Sequence, residues 1–330
     1  MIWLTFFISA VVVVLAAIKL AEYGDAIGYR TGLGSMFIGT LLVASATSLP
    51  ELLTAINSIR QDVIDLAAGG MLGSNMFNMC LLGVLSLLFF RQRVLRRVAM
   101  KHALSGSVAV FVNGLTTFFI LARLGLRIGW VGLDSLLVAG TGVAGMWLIW
   151  ANVPGTPGAV PAPASEEEGI PSLRRALIGF SLAVVVLVLA SPHLVRSSAA
   201  IADATGLSTG FIGTLALATI TSLPELVTII AAARLGAHDL AVGNLFGSNI
   251  FNMFALGLTD LFYTRGTLFS AISPDLALVG LLGLLLTGIG LIGNQARLDR
   301  LVWVVELDGI LLVVGYVVGL GFLYIRGIGL

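Results

Sequence analysis

The chain has 330 residues, of which 58% are apolar and 11% charged, with a net charge of +1 and a mean hydropathy of +1.05. A water-exposed surface needs roughly a quarter of its residues charged, so most of this chain has lipid as its solvent. The near-zero charge, without a basic stripe, offers nothing to a phosphate backbone and excludes nucleic acid as a partner, while the single cysteine, Cys80, forms no internal disulfide and reads as a small buried hydrophobe.

Crossing a hydrocarbon core of about 30 Å takes about 20 helical residues, and ten runs of that kind stand between charged or turn-rich breaks. In the first half they lie near 2–22, 32–58, 64–90, 103–122 and 128–150; in the second, near 173–196, 206–233, 239–263, 274–293 and 303–325. The run at 2–18, closed by Lys19, has no basic residues before it and no small-residue cleavage pattern after it, so it reads as a retained membrane helix. Residues 151–172 are rich in Pro, Ala and Gly and carry Glu166, Glu167 and Glu168, the composition of a flexible linker. The chain thus divides into a first five-helix unit (1–150), a linker (151–172) and a second unit (173–330).

Basic residues in alternate loops set the orientation. With the N-terminus outside, the inner loops hold Lys19, Arg30, Arg91, Arg93, Arg96, Arg97, Lys101, Arg174, Arg175, Arg234, Arg297 and Arg300. The outer side keeps Arg60, Arg123, Arg127, Arg196, Arg265 and Arg326. Both termini are expected outside and the linker in the cytoplasm, in a multi-pass protein of the cell membrane.

The segment IGTLLVASATSLPELLTAI at 38–56 returns as IGTLALATITSLPELVTII at 212–230, and GSNMFNMCLLG at 73–83 returns as GSNIFNMFALG at 247–257. Across 38–83 and 212–257, 26 of 46 pairs are identical in one ungapped register, which apolar composition alone does not produce. Five helices per copy is an odd number, so the second copy enters the membrane inverted. Inverted repeats place substrate and coupling ions near the bilayer midplane, commonly at interrupted helices. Pro50 and Pro224 supply the interruption: each removes a backbone donor mid-helix, and the carbonyls of Ala46 and Ile220 are expected to lose their helical partners.

A carboxylate at mid-membrane costs about 2.5–3.5 kcal/mol on insertion scales, so Glu51 and Glu225, placed there twice by duplication, are the candidate ion-binding pair. Thr47, Glu51 and Thr54 share a helical face, with Ser48 one turn before Glu51, and Thr221, Ser222, Glu225 and Thr228 repeat the arrangement. On the next helix of each copy, Ser74 with Asn78 and Ser248 with Asn252 stand four apart on one face; Asn75 and Asn249 are expected to project elsewhere, as interhelical hydrogen bonders. These are all hard oxygen donors, suited to Ca²⁺, and no His or Cys cluster exists for zinc or copper. Bound cofactors are not expected.

The pair GT-x₆-TSLPEL (Gly39 to Leu52, Gly213 to Leu226) followed by DLA-x-G-x₃-GSN-x-FN (Asp65 to Asn78, Asp239 to Asn252) closely resembles the two repeats of the sodium/calcium exchangers, in the calcium:cation antiporter superfamily, in their compact prokaryotic form. The resemblance implies ten helices, alternating access and exchange of Ca²⁺ for Na⁺. By motif position it implies Glu51, Glu225, Thr47, Ser48, Thr221, Ser222, Ser74, Ser248 and Asn78 as ion ligands, with Asn252 at the matching place in the second copy. Two positions depart from the family pattern. Gly70 stands where Asn is usual, and Asn252 stands where the sodium/calcium exchangers often carry Asp. The second departure leaves Ca²⁺/H⁺ exchange open beside Na⁺ coupling. An intramembrane enzyme is excluded, because His102, His193 and His238 fall at predicted helix ends and no HExxH occurs. A channel fits a single midplane site less well than alternating access. The expected partners are the bilayer and Ca²⁺ with Na⁺ or H⁺, and no obligatory protein partner is evident.

Overall fold

The computed structural model describes residues 1–30, 44–90, 102–152, 170–234, 236, 238–296, 301–302 and 305–328. The first half contains α1 (Ile2–Arg30), α2 (Leu49–Arg60), α3 (Ile64–Leu88), α4 (Ala103–Ala122), the hairpin β1 (Arg127–Ile128) and β2 (Val131–Gly132), and α5 (Leu133–Asn152). The second contains α6 (Leu173–Thr205), α7 (Thr209–Thr221), α8 (Leu223–Arg234), α9 (His238–Thr259), the short α10 (Leu268–Ala271), α11 (Leu276–Ala296), the hairpin β3 (Leu301–Val302) and β4 (Val305–Glu306), and α12 (Leu307–Leu323). Among the described residues seven helices are long and apolar enough to cross a membrane, eight with the bent pair α7–α8, and α11 contributes a shorter apolar helix, Leu276–Ile292. Of the predicted span at 32–58, residues 32–43 lie outside the described residues, as does most of the linker.

Four boundaries differ from expectation, the first being that of α1, which runs past its predicted end at 22 to Arg30. Helix α6 runs past its predicted end at 196 until Gly206, in the left-handed region at φ 72°, stops it, so His193 lies inside the helix and not at its end. The predicted spans at 128–150 and 303–325 each begin with a two-stranded hairpin, and the helices start at Leu133 and Leu307. The hairpins are duplicates too, for the pairing of Arg127 with Gly132 recurs, in the register of the sequence repeat, as Leu301 with Glu306.

Contacts between connections establish the path of the chain. When ten spans alternate, the even-numbered connections share one face and the odd-numbered the other. Arg265 Nη1 meets Asp62 Oδ2 at 2.7 Å, Ser273 N donates to Asp65 at 2.8 Å, and Gly132 N donates to Asp260 at 2.6 Å; all three unite connections 2–3, 4–5 and 8–9. On the other face Arg30 donates to the carbonyls of Ile170 and Pro171, joining connections 1–2 and 5–6, and Ser86 donates to Glu306 at 2.8 Å, joining 3–4 and 9–10. Each contact respects parity, as an inverted second five requires.

Packing places α3 and α9 at the centre. Of an 18-residue apolar stretch in each span, 78% is buried in α3 and 72% in the span His238–Phe262 that contains α9, against 33% for those of α1, α6 and α12 and 28% for that of α5, whose Leu, Val and Trp side chains face outward, as lipid demands. Small residues let backbones meet there: a Cβ on Gly69 would collide with the Gly210 carbonyl, one on Gly73 would lie 2.6 Å from Thr214 Cα, and one on Gly213 2.6 Å from the Leu66 carbonyl. A second apolar cluster joins α1 to α6 through Val13, Ala17, Leu20, Leu187 and Leu194.

Candidate functional site

The centre of the molecule is built by two helix breaks. Ser48 and Ser222 sit at φ −91°, ψ 6° and φ −90°, ψ 6°, outside helical geometry, each two residues before a proline that cannot continue the backbone ladder. The second break bends α7 from α8 by 41°. The Ile220 carbonyl, expected to lose its partner, accepts a backbone N–H at the cap of α7 instead. Each break points a Ser-Leu-Pro-Glu turn at the same turn of the other copy.

There the serines cross over. Ser48 Oγ donates to Glu225 Oε1 at 3.1 Å, and Ser222 Oγ stands 3.1 Å from Glu51 Oε1 and 3.1 Å from Ser74 Oγ. A hydroxyl has one proton, so Ser74 donates to Ser222, which donates to Glu51. Ser248 reaches Glu225 Oε1 directly, at 3.5 Å. Thr47 and Thr221 return their protons to the carbonyls of Ala44 and Leu217, at 3.1 and 3.0 Å. Glu51 is 3% exposed and Glu225 1%, and the hydroxyl residues Thr47, Ser48, Ser74, Thr221, Ser222 and Ser248 are buried with them. Thr54 and Thr228 share the helical face read from the sequence, but their hydroxyls bond Pro50 O and Pro224 O within their own helices.

The asparagines form a second reciprocal layer. Asn78 Nδ2 donates to Asn249 Oδ1 at 3.0 Å, Asn252 Nδ2 to Asn75 Oδ1 at 3.1 Å, and Asn75 Nδ2 to the Asn249 carbonyl at 3.3 Å. Asn75 and Asn249 are therefore interhelical bonders, as expected, yet they are also what holds Asn78 and Asn252 in place. The 75/78 and 249/252 spacing of three residues, neighbouring positions on a helix, carried that signal. Because the amide nitrogens are engaged, Asn78 Oδ1 and Asn252 Oδ1 are buried without a hydrogen-bond partner, and so are Glu51 Oε2 and Glu225 Oε2. Four orphaned acceptors, two from each copy, carry negative or partial negative charge where water does not reach. Buried acceptors without donors are costly alone and are what a hard cation replaces water to reach. Among the described residues no group of three or more His, Cys, Asp or Glu assembles to hold a metal, so the centre offers two carboxylates and otherwise neutral oxygens. The two departures differ in setting: a Cβ on Gly70 would lie 3.2 Å from Leu217 Cδ2, leaving no room for an amide without movement, whereas Asn244 is fully buried with neither amide atom paired.

An all-helical polytopic protein with a two-fold cluster of buried oxygen acceptors at its broken helices is a membrane transporter of cations, not an enzyme. The chain belongs to the sodium/calcium exchanger protein family of cation antiporters, whose pattern matches residues 1–146 and 175–325. It is 30% identical over 271 residues to the inner membrane protein YrbG of Escherichia coli, covering 77% of this chain and 78% of that protein. Its fold is similar to that of the sodium-calcium exchanger NCX_Mj, with a TM-score of 0.62 at 18% identity over 97% of this chain and 99% of that one. It is similar also to the H⁺/Ca²⁺ exchanger CAX, with a TM-score of 0.61 at 12% identity over 99% and 89%.

Proposed function

We propose that the chain exchanges Ca²⁺ for Na⁺ by alternating access, with Ca²⁺ bound between Glu51 and Glu225. The observation that carries this reading is the set of four buried acceptors without donors, Glu51 Oε2, Glu225 Oε2, Asn78 Oδ1 and Asn252 Oδ1. Hydroxyls of Ser48, Ser222, Ser74 and Ser248 and of Thr47 and Thr221 complete an oxygen shell for an ion that takes 6–8 ligands. Two carboxylates match the charge of one Ca²⁺. The Ser-Leu-Pro-Glu sequence favours Na⁺ as the counter-ion, by its resemblance to the sodium-coupled branch. The basic residues of the loops favour an orientation with both termini outside.

A second reading rests on Asn252. With amides at both 78 and 252, several Na⁺ bound together would leave excess positive charge in a dry site. Glu51 and Glu225 would instead take up protons as Ca²⁺ leaves. The test is ⁴⁵Ca²⁺ uptake into liposomes under an imposed Na⁺ gradient or an imposed pH gradient. Uptake driven by Na⁺ alone supports the first reading and uptake driven by pH alone the second; uptake driven by neither refutes both.

A further inference from the structure

We propose that Asp134, Asp260 and Ser135 form a second divalent-cation site, remote from the central glutamates, that ties the hairpin β1–β2 of the first half to the connection after α9 of the second. Asp134 opens α5 and Asp260 follows α9; both are fully buried, and among the described residues no basic side chain forms an ion pair with either. They flank one glycine, since a Cβ on Gly132 would collide with Asp134 Oδ1 and lie 3.1 Å from Asp260 Oδ2. Two carboxylates this close, out of water and without a counter-charge, stay ionised together only with a cation between them.

Backbone donors fix the carboxylates without neutralising them. Gly132 N and Leu268 N donate to the two oxygens of Asp260 at 2.6 and 3.1 Å, and Ser135 N donates to Asp134 Oδ1 at 2.9 Å. Each of these oxygens keeps a further lone pair. Asp134 Oδ2 is buried and has no donor. Independently, the hydroxyl of Ser135, the residue after Asp134, is fully buried and has no hydrogen-bond partner. Two carboxylates and one hydroxyl make a hard oxygen set, which selects Ca²⁺ over softer metals. The duplication supports a purpose for the place: in the register of the repeat, Gly132 and Asp134 correspond to Glu306 and Asp308, also buried, with Glu306 accepting from Ser86, the counterpart of Asp260. Each face of the molecule thus keeps two buried carboxylates beneath a hairpin.

The experiment uses the full chain in nanodiscs with Glu51→Gln and Glu225→Gln together, which removes both central carboxylates, and reads ⁴⁵Ca²⁺ binding by equilibrium dialysis and thermal unfolding with and without Ca²⁺. The expected result is one remaining Ca²⁺ per chain and a Ca²⁺-dependent rise in Tm. Asp134→Asn or Asp260→Asn should weaken that binding by about tenfold or more. Ser135→Ala, which keeps both carboxylates and so guards against misfolding, should weaken it by a few-fold. No Ca²⁺ binding by the folded double variant would overturn the proposal. So would binding that ignores all three substitutions, which would instead place the residual ion at the central site. A Tm that rises as pH falls and is indifferent to Ca²⁺ would also overturn it, marking a carboxyl pair that shares a proton.

Discussion

Ser222→Ala isolates the crossing contact on which the central geometry depends. The substitution keeps the Cβ and the broken-helix backbone but removes a hydroxyl 3.1 Å from Glu51 Oε1 and 3.1 Å from Ser74 Oγ. A hydrogen bond to a charged group contributes about 1.5–3 kcal/mol, and each 1.4 kcal/mol is tenfold in affinity, so apparent Ca²⁺ affinity should fall about 10- to 150-fold. Ser74 should not rescue it, since its hydroxyl reaches Glu51 through Ser222. Ser48→Ala removes the matching 3.1 Å contact to Glu225, but Ser248 stands 3.5 Å from the same oxygen, and the loss should lie at the lower end of that range. The assay is the half-saturating Ca²⁺ concentration of ⁴⁵Ca²⁺ counterflow in liposomes, at fixed Na⁺ and pH, with size-exclusion profiles as the check on folding. Ser222→Ala within threefold of wild type, or Ser48→Ala the more damaging of the two, would refute the reasoning.

Asn249→Ala frees the Asn78 amide to rotate, so Ca²⁺ affinity should drop about tenfold while unfolding shifts little; an unchanged affinity in the same counterflow assay would separate the asparagine layer from the ion. Gly73→Ala forces a methyl to within 2.6 Å of Thr214 backbone atoms and should destabilise the protein by about 1–3 kcal/mol, read as a lower Tm; an unshifted Tm would mean that α3 and α7 do not pack backbone to backbone. Asn252→Asp adds a third carboxylate to the site and should steepen the dependence of uptake on Na⁺; if wild-type uptake is already steeply Na⁺-dependent and the substitution changes nothing, the charge count is wrong. A cysteine introduced in the linker at 160 should resist an impermeant thiol reagent applied outside intact cells, and labelling there would reverse the proposed orientation.

The broken helices were legible because a proline four residues after Ala46 and Ile220 acts locally, and because the ungapped repeat makes each observation twice. The same repeat revealed the odd-helix inversion that the parity of the loop contacts bears out. What a local reading could not supply was which copy serves which. Ser48 is one turn from Glu51 in sequence, yet it serves Glu225, because the break at Ser48 lies against the other copy's Ser-Leu-Pro-Glu turn. Thr54 and Thr228 failed in the other direction: helical periodicity put them on the right face, but a hydroxyl in a helix finds the carbonyl four residues back before it finds a distant carboxylate. Asp134 and Asp260 lie far apart in sequence, in opposite copies and outside both repeat motifs, so neither periodicity nor the repeat joined them. Their meeting follows only from two connections sharing one face.

The most direct test of the central claim is ⁴⁵Ca²⁺ uptake by Glu51→Gln and Glu225→Gln, each reconstituted alone after its size-exclusion profile has been matched to wild type. Glutamine keeps the shape of each side chain and removes its charge, leaving one carboxylate against a divalent ion, so uptake should be abolished in both variants. Near-normal uptake by either one would contradict the assignment of the ion to this pair.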